Sequence, residues 1–361
     1  MLFDPFSIGG LKLRNRIVRS ATYEKRADVD GFATDSLVSF YTELAEGGAG
    51  LIITGNALVH VSGRSVPQMI CIHNDYYIDR LKRITEAVHK RDGKIVLQLV
   101  HGGRQCPPDL LGGLSPVGPS AVYDPSMQIT PREMTSAEIW EVIDAFADAA
   151  RRAMYAGFDG VQIHGAHGYL VSEFLSPHTN RRDDYWGGDE ERRFHFLEEV
   201  YLSMRKEVGS GYPILIKMNG SDFLEGGLDP DEALRIAVRL QGMGIQAVEV
   251  SGGMYESGPE KGTARTNILR PEKEAYFRTH TALFKEQLSV PVILVGGIRS
   301  RSVAEEILQK GEADLISISR PLIREPDLPN KFREGKETAD CISCNGCMRF
   351  KKLDEVRCTQ I

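Results

Sequence analysis

The sequence predicts an α/β protein folded as a (β/α)8 barrel, and three observations carry that prediction. Eight short apolar, β-branched runs recur along the chain, and most are followed by a segment of helical periodicity. The runs are apolar nearly throughout rather than alternating, as befits a parallel sheet covered on both faces. No Pro-, Ser- or Gly-rich linker divides the 361 residues, and one closed α/β barrel commonly needs about 250 residues or more.

The eight runs occupy residues 16–22, 50–55, 94–100, 160–164, 213–217, 247–251, 291–295 and 314–319. Between them, Thr135-Ser-Ala-Glu138 fits a capping box ahead of a helix reaching Met154. Asp229 and Pro230 suit the N-cap and first position of another helix, with acids in its first turn. Gly244 and Gly311 sit where helices are expected to stop. A Gly/Pro-rich insertion, 102–134, follows strand 3 on the face where barrels carry active sites. Residues 1–334 are therefore assigned to the barrel and 335–361 to a cysteine-rich C-terminal tail.

Apolar residues make up 42% and charged residues 26%, ordinary for a globular protein with a large core. The net charge of −6, without a basic block, argues against nucleic acid or an anionic membrane as partner. No apolar run approaches the roughly 18 residues of a spanning helix. Met1-Leu-Phe-Asp-Pro lacks a basic, then apolar, leader, so a soluble, cytoplasmic protein is expected. Cys71 and Cys106 stand alone, whereas Cys341, Cys344, Cys347 and Cys358 crowd the last 21 residues. Without an export signal, such crowding suggests metal ligands more than disulfides.

Polar residues at the C-terminal ends of barrel strands are the functional candidates. Read in order, those ends are Ser20-Ala-Thr-Tyr23, Gly55-Asn56, Gln98 with His101, His164 with His167, Lys217, Ser251-Gly-Gly253, Gly296-Gly297 and Ser319-Arg320. Any one could simply cap a loop or lie at the surface, but all eight strands end this way. Gly296-Gly297 lets backbone N–H groups approach an anion, and Arg320 adds a forked cation, where barrels commonly bind phosphate. A tight turn plus a surface arginine is the plainer alternative. His164 and His167 can donate to one carbonyl oxygen, and Tyr169 adds a phenol of pKa about 10. A metal on this histidine pair lacks both HExxH spacing and a neighbouring carboxylate.

These motifs resemble the Old Yellow Enzyme family of FMN-dependent ene-reductases, especially the bacterial branch related to 2,4-dienoyl-CoA reductase. The resemblance runs from Leu2 to about Glu325. It rests on Leu13-Arg-Asn-Arg-Ile17, Arg19-Ser-Ala-Thr22, Leu97-Gln-Leu-Val-His-Gly-Gly-Arg104, His164-Gly-Ala-His-Gly-Tyr-Leu170, Glu173-Phe-Leu-Ser-Pro177, Asn180-Arg-Arg-Asp183, Trp186-Gly-Gly188, Val295-Gly-Gly-Ile298 and Ser319-Arg320. It implies that Ser20, Ala21 and Thr22 line the flavin and that Gln98 bonds its pyrimidine edge. Lys217 would stabilise the reduced flavin near N1, and Gly296, Gly297, Ser319 and Arg320 would hold the phosphate. His164 and His167 match the pair that binds the substrate's electron-withdrawing oxygen, and Tyr169 matches the residue that can protonate substrate. Tyr23 stands where some relatives carry Cys or His, and Asn56 where a small residue is often found beside the flavin O4. The sequence ends at Ile361, so the FAD and NAD(P) domains of dienoyl-CoA reductases are expected to be absent.

The tail spacing is C-x2-C-x2-C-x10-C. Dienoyl-CoA reductases carry a four-cysteine iron–sulfur site at this point, with each of the last two gaps one residue longer. A [4Fe–4S] cluster, a structural zinc and reduced thiols all remain open. The resemblance thus implies ping-pong chemistry: NAD(P)H reduces FMN, and an enoate, enone or dienoyl substrate then accepts hydride at its β-carbon. Two rivals stand beside it. One is an electron-transfer subunit working with a redox partner protein, and the other is a non-redox barrel acting on a phosphorylated substrate. A homo-oligomer is left open by the sequence.

Overall fold

The computed structural model describes residues 1–361. Eight parallel strands close into a barrel: β1 Ile17–Arg19, β2 Leu51–Leu58, β3 Ile95–Val100, β4 Gly160–Gly165, β5 Ile214–Asn219, β6 Ala247–Ser251, β7 Val292–Val295 and β8 Leu315–Ile318. Closure is made by β8 on β1, with Ser317 opposite Val18, and by β1 on β2, with Val18 opposite Leu51. All eight runs expected from the sequence are strands. A bulge in β2 between Ile53 and Asn56 re-aims the strand, so that Asn56 pairs with Gln98 at the barrel mouth.

The outer ring comprises α1 Asp35–Glu46, α2 Ile78–His89, α3 Ser136–Tyr155, α4 Glu190–Val208, α5 Pro230–Met243, α6 Arg278–Gln287 and α7 Arg301–Gln309. Short helices Arg320–Arg324 and Leu328–Arg333 take the eighth position. The caps are those the sequence signals. Thr135 and Glu138 form the capping box of α3, Asp229 caps α5 over Pro230, and Gly244 ends α5 in the left-handed conformation. Gly311 lies one residue past the Lys310 cap of α7.

The main core lies between the strands and the helix ring, and a second fills the lower barrel interior. The second holds Val18, Leu51, Ile53, Val96, Leu215, Ala247, Ile293 and Leu315 from the strands. An N-terminal hairpin, Phe6–Ile8 paired with Leu11–Leu13, stoppers that end by adding Ile8, Leu11 and Leu13. Truncating one of these buried leucines to alanine would cost about 2–5 kcal/mol.

At the opposite end the tail lies across the barrel mouth. The Ala339 amide bonds to the Arg299 carbonyl at 2.9 Å. Lys25 Nζ donates to the carbonyls of Phe350 and Leu353 at 2.9 and 2.6 Å. The Val356 amide donates to the Glu24 carbonyl at 2.9 Å. No helix is long and apolar enough to cross a membrane.

Candidate active site

Ser20, Ala21, Thr22, Asn56, Gln98, His164, His167, Tyr169, Lys217, Gly296, Gly297, Ser319 and Arg320 all line one cavity at the C-terminal mouth. The structure therefore gathers every proposed cofactor and catalytic position, from the ends of seven of the eight strands, into a single space, and Ser251 of β6 lines it too. His101 is the exception among the polar strand ends. It is buried, with Nε2 2.9 Å from Ser62 Oγ and Nδ1 accepting from the Gly103 amide.

The floor is polar. Lys217 Nζ donates to Ser20 Oγ at 2.9 Å, and Gln98 Nε2 donates to Gln162 Oε1 at 2.8 Å. Burial lowers the Lys217 pKa, opposed by the nearby Glu249 carboxylate. Along one wall, the His164 and His167 rings meet at 82° with centroids 5.1 Å apart. Tyr169 stands edge-on to His164, centroids 4.7 Å apart.

A local device turns these three side chains inward. His167 and Gly168 are both left-handed, at φ 67° and 79°, and a side chain on Gly168 would meet Gln105 Nε2 at 2.5 Å. The His167 amide donates to Asn219 Oδ1 at 3.2 Å, and its Nε2 lies 2.7 Å from Ser251 Oγ. His164 Nδ1 is buried with no hydrogen-bond partner, a vacancy that an oxygen-bearing ligand can fill.

Both imidazoles are neutral. Burial, then His167 and Lys217, hold His164 well below its usual range. Burial and Lys217 lower His167 to about 3. Burial also raises the Tyr169 phenol above its ordinary value, so it keeps its proton. The wall can thus donate hydrogen bonds and one proton without carrying charge.

At the β7–β8 end, Gly296 and Gly297 adopt φ 133° and 74°. A Cβ on Gly297 would sit 2.7 Å from the Tyr276 ring, so the turn admits no side chain. Thr22 Oγ1 and Ser319 Oγ lie 2.7 Å apart. Arg320 Nη1 donates to the Arg265 carbonyl at 2.7 Å and also to Asn345 Oδ1. Backbone donors, hydroxyls and a buried guanidinium suit a phosphate, and the Lys217–Gln98 floor suits a polar ring edge, so these residues fit FMN.

Sequence reading missed part of the wall. Met348, Phe350 and Val356 of the tail line the cavity, as does Tyr255 from the loop after β6. Phe350 meets Tyr23 edge-to-face at 4.9 Å, and the Tyr23 hydroxyl donates to the Pro67 carbonyl. Other family-motif residues brace the loops. The Arg104 amide donates to Glu173 Oε1 at 2.9 Å, and Arg104 pairs with Glu256. Asn180 Nδ2 ties the carbonyls of Phe174 and Trp186, both at 2.8 Å.

Comparison with known proteins gives this arrangement its family. Residues 1–339 match the model of the NADH:flavin oxidoreductase / NADH oxidase family. The chain belongs to that family. It is 40% identical over 367 residues to an NADH oxidase of Thermoanaerobacter brockii, covering 99% of this chain and 55% of that protein. A 2-naphthoyl-CoA reductase in complex with 2-naphthoyl-CoA superposes with TM-score 0.89 at 30% identity, over 96% of this chain and 54% of that one. An Old Yellow Enzyme homologue from Zymomonas mobilis superposes with TM-score 0.81 at 29% identity, over 94% and 95%. The chain spans about half the length of several relatives it matches. The barrel of eight parallel strands agrees with that membership and with the Old Yellow Enzyme homologue it superposes on.

The four tail cysteines line a second, small pocket, together with Arg320, Ile323 and Arg324. Cys347, Ser343 and Arg320 face both cavities. Burial pushes the Cys347 thiol up to about 11, with Cys341 and Cys344 adding to the rise and Arg320 opposing it. No group of three or more His, Cys, Asp or Glu side chains is arranged to hold a metal ion.

Proposed function

We propose that this protein reduces activated C=C bonds, in an enoate, enone or dienoyl substrate, at the expense of NAD(P)H by a ping-pong sequence. The observation that carries the proposal is the wall of two neutral histidines and a protonated tyrosine in one cavity. Bound FMN supplies hydride transfer; the chain's own residues do the rest. His164 and His167 donate to the substrate's carbonyl oxygen, which stabilises charge developing there. Tyr169 holds the proton that goes to the α-carbon. Lys217 and Gln98 orient the cofactor's ring edge, while Gly296, Gly297, Ser319 and Arg320 hold its phosphate.

Substrate with a thioester carbonyl would suit this wall as well as a free enone. The superposition on a protein bound to an aryl-CoA supports including CoA esters in the substrate class. The test is direct: purified, yellow protein is bleached anaerobically by NADH or NADPH, then mixed with 2-cyclohexenone, cinnamate or a cinnamoyl thioester. Return of the flavin absorbance with formation of saturated product supports the reading. Bleaching with no reoxidation by any of the three rejects it.

For the tail, we propose a [4Fe–4S] cluster on Cys341, Cys344, Cys347 and Cys358, with zinc and reduced thiols as the alternatives; the cluster would require the four side chains to draw together from an arrangement in which no three of them are set to hold a metal. Four thiols facing one cavity suit a thiophilic centre. A cluster beside the flavin cavity would also support the second reading, electron exchange with a redox partner. Iron, zinc and sulfide analysis of anaerobically prepared protein separates these occupants.

A further inference from the structure

One layer beneath the cavity floor lies a carboxylate to which neither the strand ends nor the family resemblance gives a role. Glu249 sits in mid-β6 with 0% exposure. Its Oε1 accepts from Ser20 Oγ and Ser317 Oγ, each at 2.8 Å, and lies 3.3 Å from Lys217 Nζ. Its Oε2 accepts from Gln162 Nε2 at 2.9 Å. All four neighbours are donors, the set an ionised carboxylate needs when it is cut off from water.

A buried acceptor of this kind fixes the direction of every bond around it. Gln162 has to turn its NH2 to Glu249, so its carbonyl faces Gln98. Gln98 then has to give one N–H to Gln162, at 2.8 Å. That leaves the Gln98 carbonyl and its second N–H for the cavity, an acceptor beside a donor. Ser20 likewise directs its proton to Glu249 and accepts from Lys217 at 2.9 Å. The same carboxylate is the ion-pair partner of Lys217, so the cavity floor meets a compensated cation rather than a bare one.

We propose that Glu249 is a positioning residue for the flavin: by compensating the charge of Lys217 it fixes the redox poise of bound FMN, and through Gln162 it sets which way Gln98 presents its amide to the flavin, and so how tightly both forms bind. The inference rests on the reading that the flavin's ring edge lies against Lys217 and Gln98. Reduction adds negative charge at that edge, and a carboxylate behind Lys217 opposes it.

The test uses the holoprotein and reads the flavin's dissociation constants in both oxidation states, alongside its midpoint potential. Glu249→Gln keeps the shape and deletes the charge. It is expected to raise the preference for reduced over oxidised FMN at least about tenfold, which is about 30 mV positive for a two-electron couple. A bound flavin whose preference is unchanged within about twofold, or moves the other way, overturns the proposal. Should Glu249→Gln fail to fold, Gln162→Met decides, because it cuts the relay and keeps both charges. That variant is expected to bind both forms of FMN about tenfold more weakly with an unshifted potential, and wild-type affinity overturns the proposal. Failure of the underlying reading looks different, since Lys217→Ala and Gln98→Ala would then leave the FMN affinity and the potential at their wild-type values.

Discussion

Arg320, the cation at the β8 end of the active-site cavity, donates to the side-chain amide oxygen of Asn345, which stands between Cys344 and Cys347. The Asn345 Nδ2 donates in turn to the Ala264 carbonyl at 2.7 Å. Barrel and cysteine tail thus share one guanidinium.

That sharing shapes what Arg320→Ala does. Loss of a charge-assisted phosphate partner worth about 1.5–3 kcal/mol should weaken FMN roughly 10- to 100-fold. The tail should loosen as well, seen as faster alkylation of Cys347 by a thiol reagent. Asn345→Ala keeps the cation and should loosen the tail with a smaller loss of FMN. FMN fluorescence titration and timed alkylation of both variants check the pair; equal FMN loss in both would contradict it.

Tyr169→Phe separates proton transfer from binding. The ring stays against His164, while the acid is gone, so reoxidation by an alkene should slow by about 10²–10⁴-fold. Reduction of FMN by NAD(P)H needs no proton from Tyr169 and should be nearly unchanged. Stopped-flow traces of the two half-reactions give the answer, and equal slowing of both would remove Tyr169 from the acid role.

His164→Ala should weaken capture of carbonyl-bearing or phenolic ligands, since it deletes a donor aimed at their oxygen. Because His167 titrates only at about 3, the affinity of wild-type protein for a neutral enone should be flat between pH 5 and pH 8 (about the range of an ordinary histidine). A step near pH 6.5 in calorimetric titrations would show an imidazole that charges.

Glu173 carries a stability signature. Its carboxyl is fully buried and burial raises it to about 8, against Arg104, which lowers it. An unfolded glutamate loses its proton near pH 4.3, so between that pH and about 8 the folded chain binds the extra proton. Its contribution therefore falls as pH rises through this window. Glu173→Gln mimics the protonated form, and its stability relative to wild type should climb from pH 5 to pH 8. Denaturant melts at several pH values measure that slope, and a flat difference would refute it.

Much of this was legible in the chain because barrel strands announce themselves as apolar runs and polar residues at their ends stand out. The capping box at Thr135 and the Asp229-Pro230 start were equally plain, being local chemistry. Glu249 and Gln162 were also visible, as a charge and an amide inside apolar runs. Reading the strand tips alone passed over them. The cavity wall of Met348, Phe350 and Val356 carried no signal, because apolar residues in a tail do not say what they cover. Nor did the sequence disclose that Ser251 occupies one nitrogen of His167, a pairing made across strands.

The N-terminal hairpin makes the barrel a cul-de-sac. With Ile8, Leu11 and Leu13 packed into its lower end, the cavity has its opening at the mouth, where Met348, Phe350 and Val356 of the tail form part of the wall. On the proposed ping-pong reading, the nicotinamide and the alkene reach the cavity from the same end, so a tightly binding product or excess alkene would block the donor too.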